Sequence, residues 1–192
     1  MRRLLLRSPW FCLTAGLALA GVAHAAEPFG FKGFPLDGQL AEFRARFPDF
    51  QCDSGTCRWM LGVSCPPGKD RSCVERNTYG GLVPEFVTAK FTDDRLQHVM
   101  VSYGSTHFPS LSQALIDRLG EPAARFDKPV RTKAGVEYVN STLSWSRDGA
   151  EIMISRFGLN VTRGYVVIET AAYRAARLEQ LKDQRRGASK DL

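Results

Sequence analysis

The sequence predicts an α+β fold of two tandem helix-plus-antiparallel-meander units with a C-terminal helix. Two amphipathic helical stretches lie about 70 residues apart, and each is followed by a tryptophan-bearing strand and two further strands. Turn residues separate the strands at short intervals, which is typical of antiparallel hairpins. Consecutive antiparallel strands that carry helices on one face satisfy the layering of α+β domains.

The first unit is predicted over residues 26–104 and opens with a helix over 35–47. Asp37 is a suitable N-cap for this helix, and Pro48 ends it. The spacing of three apolar residues places them on one helical face, which we expect to be buried. These residues are Leu40, Phe43 and Phe47.

The strands of the first unit are predicted at 57–63, 86–92 and 96–103. The last two form a hairpin, because apolar and polar residues alternate on both sides of Asp93-Asp94. Proline, glycine and charged residues fill 64–81, so this segment is predicted to be a long loop.

The second unit is predicted over residues 105–173. Its helix opens near Ser110 or Ser112 and stops at Gly120. After a loop come three strands, and Asp148-Gly149 is a strong hairpin signal between the first two. The three strands are predicted at 142–147, 150–157 and 165–170.

The two halves align at an offset of 72 positions, which matches the helices and their apolar faces. We therefore expect a duplicated α+β unit, and chance similarity of two amphipathic helices is the alternative. The aligned pairs are Phe43 with Leu115, Arg46 with Arg118, and Phe47 with Leu119.

Residues 1–25 have the three parts of a cleavable secretory signal peptide. Three arginines lie within the first seven residues, an uncharged apolar stretch follows, and Ala23-His24-Ala25 forms the cleavage site. The apolar stretch of about 13 residues is shorter than the roughly 20 that span a bilayer, and an uncleaved anchor is the alternative. The composition of the signal indicates a bacterial periplasmic protein, or a secreted one in a host with a single membrane.

The surplus of positive charge lies at the two ends of the chain. The net charge of +6 falls to +3 when residues 1–25 are removed. The chain is predicted to be helical over 171–186, and residues 174–192 form a basic C-terminal helix or tail. Elsewhere the charges nearly balance, which argues against a nucleic-acid partner. No other apolar stretch is long enough for an integral membrane span.

Four cysteines remain after the predicted cleavage: Cys52, Cys57, Cys65 and Cys73. An even number of cysteines in an exported domain indicates disulfides, and three pairings are open. Turn residues at 53–56 and 66–68 favour Cys52–Cys57 and Cys65–Cys73. A zinc site with four thiolates is the alternative, but both spacings are wider than the usual close pairs of zinc ligands.

A resemblance to one known family rests on the start of the first unit. The stretch Phe34-Pro35-Leu36-Asp37-Gly38-Gln39-Leu40, the helix through Phe47, and the pair Cys52 and Cys57 resemble one repeat of the β-lactamase inhibitory protein family. The resemblance spans about residues 34–173 and implies two tandem units of a helix, a disulfide-closed turn and a small antiparallel sheet. The second half has no cysteines, which departs from that pattern.

The sequence contains no recognisable catalytic, cofactor or metal motif. Ser105 and His107 lack the Gly-x-Ser-x-Gly context of a nucleophile, and His98 lies in a strand. Asp93 and Asp94 form a hairpin tip, where turn formation explains them. No glycine pattern forms a phosphate cradle. We therefore expect no enzymatic activity, no cofactor and no metal.

Two surfaces are candidates for binding a partner. The first is the loop over 64–81, which carries Arg71, Arg76 and Tyr79; tyrosine and arginine are enriched among interface hot spots. An ordinary solvated loop is the alternative. The second surface is the outer face of the sheet. It is expected to carry Lys90, Thr92, His98, Ser102, Ser144 and Ser146.

These observations predict an exported, soluble periplasmic protein that binds a protein or an envelope component, and the family resemblance implies an inhibitor-like role. One alternative is a periplasmic hydrolase whose site residues are scattered in the sequence. The other is an accessory factor of envelope assembly that docks through the basic C-terminal helix. No pattern indicates the oligomeric state.

Overall fold

A computed structural model describes residues 28–66, 68, 71–158 and 160–188. The predicted signal peptide lies outside the described residues, as do the last four residues of the predicted basic tail. In chain order the elements are β1 (Gly30–Phe31), β2 (Phe34–Pro35), α1 (Leu40–Arg46), β3 (Gln51–Asp53), β4 (Thr56–Met60), α2 (Arg71–Arg76), β5 (Phe86–Thr92), β6 (Arg95–Gly104), α3 (Phe108–Leu119), β7 (Ala124–Arg131), β8 (Glu137–Arg147), β9 (Ala150–Ser155), β10 (Arg163–Thr170) and α4 (Ala171–Ala188).

Eight strands form one antiparallel sheet in the order β3-β4-β5-β6-β10-β9-β8-β7. Each half of this sheet is a meander of four consecutive strands, and the halves meet where β6 pairs with β10. Strands β1 and β2 pair only with each other among the described residues. The predicted α+β class with antiparallel strands is therefore confirmed.

One face of the sheet forms the core together with α1 and α3. Two rows of cross-strand neighbours run over six strands on this face, and each member is at most 5% exposed. Phe43 of α1 and Leu115 of α3 pack in the same cluster, so the apolar stripes predicted for both helices are the faces that they bury. The first row is Trp59, Val87, Val101, Val166, Ile154 and Leu143, and the second is Cys57, Ala89, Val99, Ile168, Ile152 and Trp145.

Helix α1 is shorter than predicted, and Asp37 is not its N-cap. The helix begins at Leu40, with Gln39 in the N-cap position. Pro35 belongs to β2 instead, and Asp37 has a φ of 71° while its N–H donates to the Leu96 carbonyl at 2.7 Å. The predicted start is wrong because Pro35 lies in β2, and the pairing of β2 with β1 holds the chain extended ahead of the helix. Helical periodicity gives no sign of this pairing.

Helix α3 begins slightly earlier than predicted and ends where predicted. It starts at Phe108 with Pro109 in its first turn, where the missing N–H of proline costs no hydrogen bond. The predicted starts, Ser110 and Ser112, lie inside the helix. Gly120 follows the last helical residue with a φ of 83°, a conformation that favours glycine.

Each meander has four strands, whereas the sequence predicts three. The additional strands are β3, which has three residues, and β7, which lies at the edge of the sheet. Most side chains of β7 are exposed on both faces, so this strand lacks the alternation of apolar and polar residues on which a prediction relies. Strand β8 also begins at Glu137, ahead of the predicted 142.

Both disulfides join the cysteines that the turn signals pair. Cys52–Cys57 closes the β3–β4 hairpin, and Cys65–Cys73 holds the base of the segment between β4 and β5. That segment, predicted as a loop, contains the short helix α2. It is also tied to the end of α1, because the Asn77 amide donates to Asp49 at 2.9 Å.

Helix α4 follows β10 directly and matches the predicted helical stretch from residue 171. Its polar and aromatic contacts join it to one end of the sheet through Tyr173, Arg174 and Arg177. Among the described residues, no helix combines the length and the apolar character needed to cross a membrane.

Candidate binding surface

Two rows of side chains cross the sheet on the side opposite the core. We call these two rows the open face. Alternate residues of a strand point to opposite faces, so the pairing register fixes the members of each row. The first row is Met60, Phe86, Ser102, Tyr165, Ser155, Thr142 and Phe126. The second row is Arg58, Thr88, Met100, Val167, Met153, Ser144 and Ala124.

Methionine and aromatic side chains dominate the exposed part of the open face. Met60 is 49% exposed at one end of the first row, and Phe126 is 63% exposed at the other end. Arg58 is the only charged residue in the two rows. Four larger side chains between the ends are half-buried and reach the surface. They are Phe86, Met100, Met153 and Tyr165.

Buried serines form the floor between these larger side chains. Ser102 is 3% exposed and Ser155 is 1% exposed. The Ser155 carbonyl accepts a hydrogen bond of 2.8 Å from the Tyr103 hydroxyl. The Ser155 hydroxyl donates to the Phe157 carbonyl at 3.0 Å. Because the carbonyl and hydroxyl of Ser155 are satisfied inside the protein, this part of the floor is fixed, and the methionine and aromatic side chains stand above it.

A third row lies beside the open face and anchors α4. Its members are Thr56, Lys90, His98, Glu169, Glu151 and Ser146. The ring of Tyr173 lies 5.0 Å from the ring of His98, and Arg174 forms an ion pair with Glu151. These contacts join α4 to the third row.

Glu169 is the most deeply buried charged group of the third row, with an exposed fraction of 3%. Its carboxylate accepts a hydrogen bond from Arg177 at 2.9 Å and is paired with His98 Nδ1 at 3.2 Å. Burial by itself would raise the pKa of Glu169, but the hydrogen bonds from His98 and Arg177 outweigh it and lower this pKa. The carboxylate is therefore held in its charged form.

The His98–Glu169 pair resembles the carboxylate-oriented histidine of a catalytic site. Among the described residues, no hydroxyl or thiol forms a hydrogen bond with the His98 ring. Ser105 does not pair with His107, because its hydroxyl donates to the Val161 carbonyl at 2.7 Å. Within the described ranges, no group of three or more His, Cys, Asp or Glu side chains could hold a metal ion.

Arg71, Arg76 and Tyr79 do not form one surface. Arg71 is exposed and forms an ion pair with Glu75 along α2. Arg76 makes two hydrogen bonds of 3.2 Å to the carboxylate of Asp49. Tyr79 packs its ring parallel to that of Phe31 at 6.0 Å, and burial raises its pKa to about 12. Partner binding by the three residues stays a prediction, but they would not act together.

The outer sheet face is closer to what the sequence predicts. Five of the six predicted polar residues lie in the three rows, and Thr92 lies beyond a β-bulge at Lys90 and Phe91. His98, Ser102 and Ser144 are buried, whereas Lys90 and Ser146 are exposed as predicted. Exposed apolar residues that the sequence pattern does not single out, Met60 and Phe126, lie on the same face. Alternation along a strand divides its residues between two faces but does not show which face is the core. It therefore does not place Met100 or Met153 on the open face.

Comparison with known proteins gives no relative for this chain: no family model, no curated protein and no solved structure matches it.

Proposed function

We propose that this chain is an exported binding protein of the bacterial periplasm that recognises a protein partner through the open face. One observation carries the proposal: a methionine and aromatic surface crosses the sheet, with Met60 49% exposed and Phe126 63% exposed at its ends. Large apolar patches rimmed by polar residues are typical of sites where proteins bind each other.

The chemistry of the open face favours a protein over other partners. Methionine adapts its shape to a partner surface, and aromatic side chains supply most of the binding energy at interface hot spots. Arg58 is the only cationic residue in the two rows, too little charge for a nucleic-acid backbone or an anionic lipid surface. The expectation of a protein partner therefore rests on shape and apolar contact.

Export and the two disulfides support the same proposal. Residues 1–25 have the pattern of a cleavable signal, and disulfides form and persist in the periplasm. We propose no enzymatic activity, because the buried His98–Glu169 pair is used to anchor α4. The resemblance to the β-lactamase inhibitory protein family, which implies a fold more than a partner, agrees with a binding role.

We also propose that the two halves are copies of one unit, related by a two-fold rotation between β6 and β10. The core face supports this relation: Trp59 lies on β4, the third strand outward from the centre, and Trp145 lies on β8, the third strand outward on the other side. Trp59 pairs across with Val87, and Trp145 pairs across with Ile152 at the equivalent position. In each half a helix precedes the four-stranded meander.

Charged substitutions on the open face test the proposed function. We expect Met60→Asp and Phe126→Asp each to weaken capture of the partner from a periplasmic extract by about tenfold or more, because each would place a charge against an apolar surface. The measurement is a quantitative pull-down with the disulfide-bonded protein as bait.

Leu181→Asp is the matched control, because Leu181 is 41% exposed on α4 and is not a member of the two rows of the open face. This variant should capture the partner as the unchanged protein does. Loss of capture with Leu181→Asp and normal capture with the other two would contradict the proposal and favour docking through the C-terminal helix.

A further inference from the structure

Strand β7 forms one outer edge of the eight-stranded sheet, and among the described residues only β8 pairs with it. It has eight residues, and most of them are exposed. The strand at the other edge, β3, has only three residues and is closed by the Cys52–Cys57 disulfide. Natural sheets keep their edge strands short or covered, because an exposed edge can pair with another chain. Within the described part of the chain, β7 is the one long edge of this sheet that nothing covers.

The backbone groups of alternate β7 residues point away from the sheet. The Arg156 N–H donates to the Ser141 carbonyl at 2.9 Å, so the backbone groups of Ser141 face the β9 side of β8. Ser141 lies opposite Asp127, and the backbone groups of two opposite residues point either toward each other or apart. The N–H and carbonyl of Asp127 therefore point outward, and so do those of Arg125, two residues away.

Pro129 agrees with this assignment of the outward residues. It lies two residues after Asp127 and opposite Val139, and it has no N–H to donate. At an outward position the missing N–H costs no hydrogen bond with β8. Among the described residues, no group forms a hydrogen bond with the outward N–H and carbonyl of Arg125 or Asp127. The first half of β7 therefore presents unpaired backbone donors and acceptors to solvent.

The side chains along this edge differ between the two faces of the sheet. On the side of the open face, Phe126 is 63% exposed. On the other side, Arg125 and Asp127 lie 3.4 Å apart as an exposed ion pair. Lys128 and Pro129 follow, and residues of these types discourage pairing along an edge. The part of β7 that remains suited to pairing is the half that adjoins the open face.

We propose that the edge of β7 at residues 124–127 pairs with an extended segment of the protein partner, which joins the sheet as an additional antiparallel strand. Backbone donors and acceptors in line along an edge select an extended polypeptide, because a helix or a small molecule presents no matching row of groups. Antiparallel pairing continues the pattern of the sheet. The inference rests on the proposed function, since the same partner covers the open face, which reaches this edge at Phe126.

Two capped, fluorescently labelled peptides of alternating glutamate and valine test the edge directly. Opposite residues of paired strands share a face, so we expect glutamate opposite Arg125 and valine on the side of Phe126. In this register the N–H groups of the glutamates face β7.

A peptide N-methylated at its valines should therefore bind saturably, and one N-methylated at its glutamates should bind at least about tenfold more weakly. The two peptides carry the same charge, so attraction to a basic protein does not distinguish them. Fluorescence anisotropy measures both affinities. Equal binding of the two peptides, or no binding of either, would overturn the proposal.

Two substitutions of Asp127 separate its backbone from its side chain. Asp127→Pro removes the outward N–H, and β7 already holds Pro129 at an equivalent position, so this variant should fold and bind the valine-methylated peptide about tenfold or more weakly. Asp127→Ala removes the carboxylate but keeps the N–H, so its affinity should stay within about twofold of the unchanged protein. Thermal melting checks that both variants fold. Equal losses of affinity in the two variants would assign the binding to the side chain and contradict strand addition.

Capture of the partner separates this inference from the proposed function. Asp127→Pro should weaken capture about tenfold, and Asp127→Ala should not. Loss of capture with Met60→Asp but not with Asp127→Pro would overturn strand addition and leave binding through the open face intact. Peptide binding at the edge, with capture unaffected by Met60→Asp, would contradict the open face instead. Sedimentation of the unbound protein covers the remaining occupant: self-association that Asp127→Pro abolishes would assign the edge to a second copy of the chain and overturn the proposal.

Discussion

Tyr79 shows how the surroundings of one side chain decide its role. In the sequence it stands among glycines, prolines and charges, as an exposed recognition residue would. In the structure its ring stacks on Phe31, and its backbone N–H and carbonyl both hydrogen-bond with Leu82. The aromatic cluster from the N-terminal residues and α1 supplies this packing surface, which local sequence around Tyr79 does not contain.

Alanine substitutions separate the packed tyrosine from the exposed arginine. Tyr79→Ala should lower the free energy of unfolding by about 2–3 kcal/mol, because it removes a ring from a well-packed cluster. Arg71→Ala should change it by less than about 0.5 kcal/mol, because an exposed ion pair contributes little. Urea denaturation measures both, and similar values for the two variants would contradict the packing described here.

At the scale of elements, the sequence predicts the central hairpins well and the edges of the sheet poorly. The β5–β6 and β8–β9 hairpins are marked by alternating side chains and by Asp93-Asp94 and Asp148-Gly149 at their turns. Strand β7 has no such mark, because an edge strand with both faces in solvent has no need of alternation. The order of strands, and therefore the membership of the open face, depends on long-range pairing that no local pattern contains.

The anchoring of α4 gives a prediction that depends on pH. Replacing Glu169 by glutamine should lower the free energy of unfolding by about 2–3 kcal/mol at pH 7, because His98 and Arg177 lose the negative charge of their buried partner. Since the pKa of Glu169 is lowered on folding, its contribution is complete above the unfolded value of 4.5 and is lost as the pH falls through the lower folded value.

Urea denaturation of the unchanged protein and of Glu169→Gln, at pH 7 and at pH 3, checks the direction of this pH dependence. The difference in the free energy of unfolding between the unchanged protein and Glu169→Gln should be smaller at pH 3 than at pH 7. Glu179→Gln is the control, since Glu179 forms an exposed pair with Lys182 on the same helix. A difference that stays constant, or grows, on acidification would contradict the anchoring role of the charged carboxylate.

At the scale of the whole molecule, the sheet separates two surfaces of different chemistry. Its core side carries α1, α3 and a cavity lined by leucines and cations. Its other side carries methionine and aromatic residues over a floor of buried serines. The sequence indicates the existence of the sheet and its layer of helices, whereas the open face arises only when seven strands place one side chain each in a row.

Site-specific photocrosslinking is the measurement that tests the proposed binding function most directly. A photoreactive phenylalanine analogue at Phe126, on the open face, is compared with the same analogue at Leu181 on α4, both exposed in the unbound protein. We predict that a periplasmic extract yields one specific crosslinked protein from position 126, and that Met60→Asp in the same chain abolishes it. Crosslinking from position 181 alone, or a product at 126 that Met60→Asp leaves unchanged, would contradict binding through the open face.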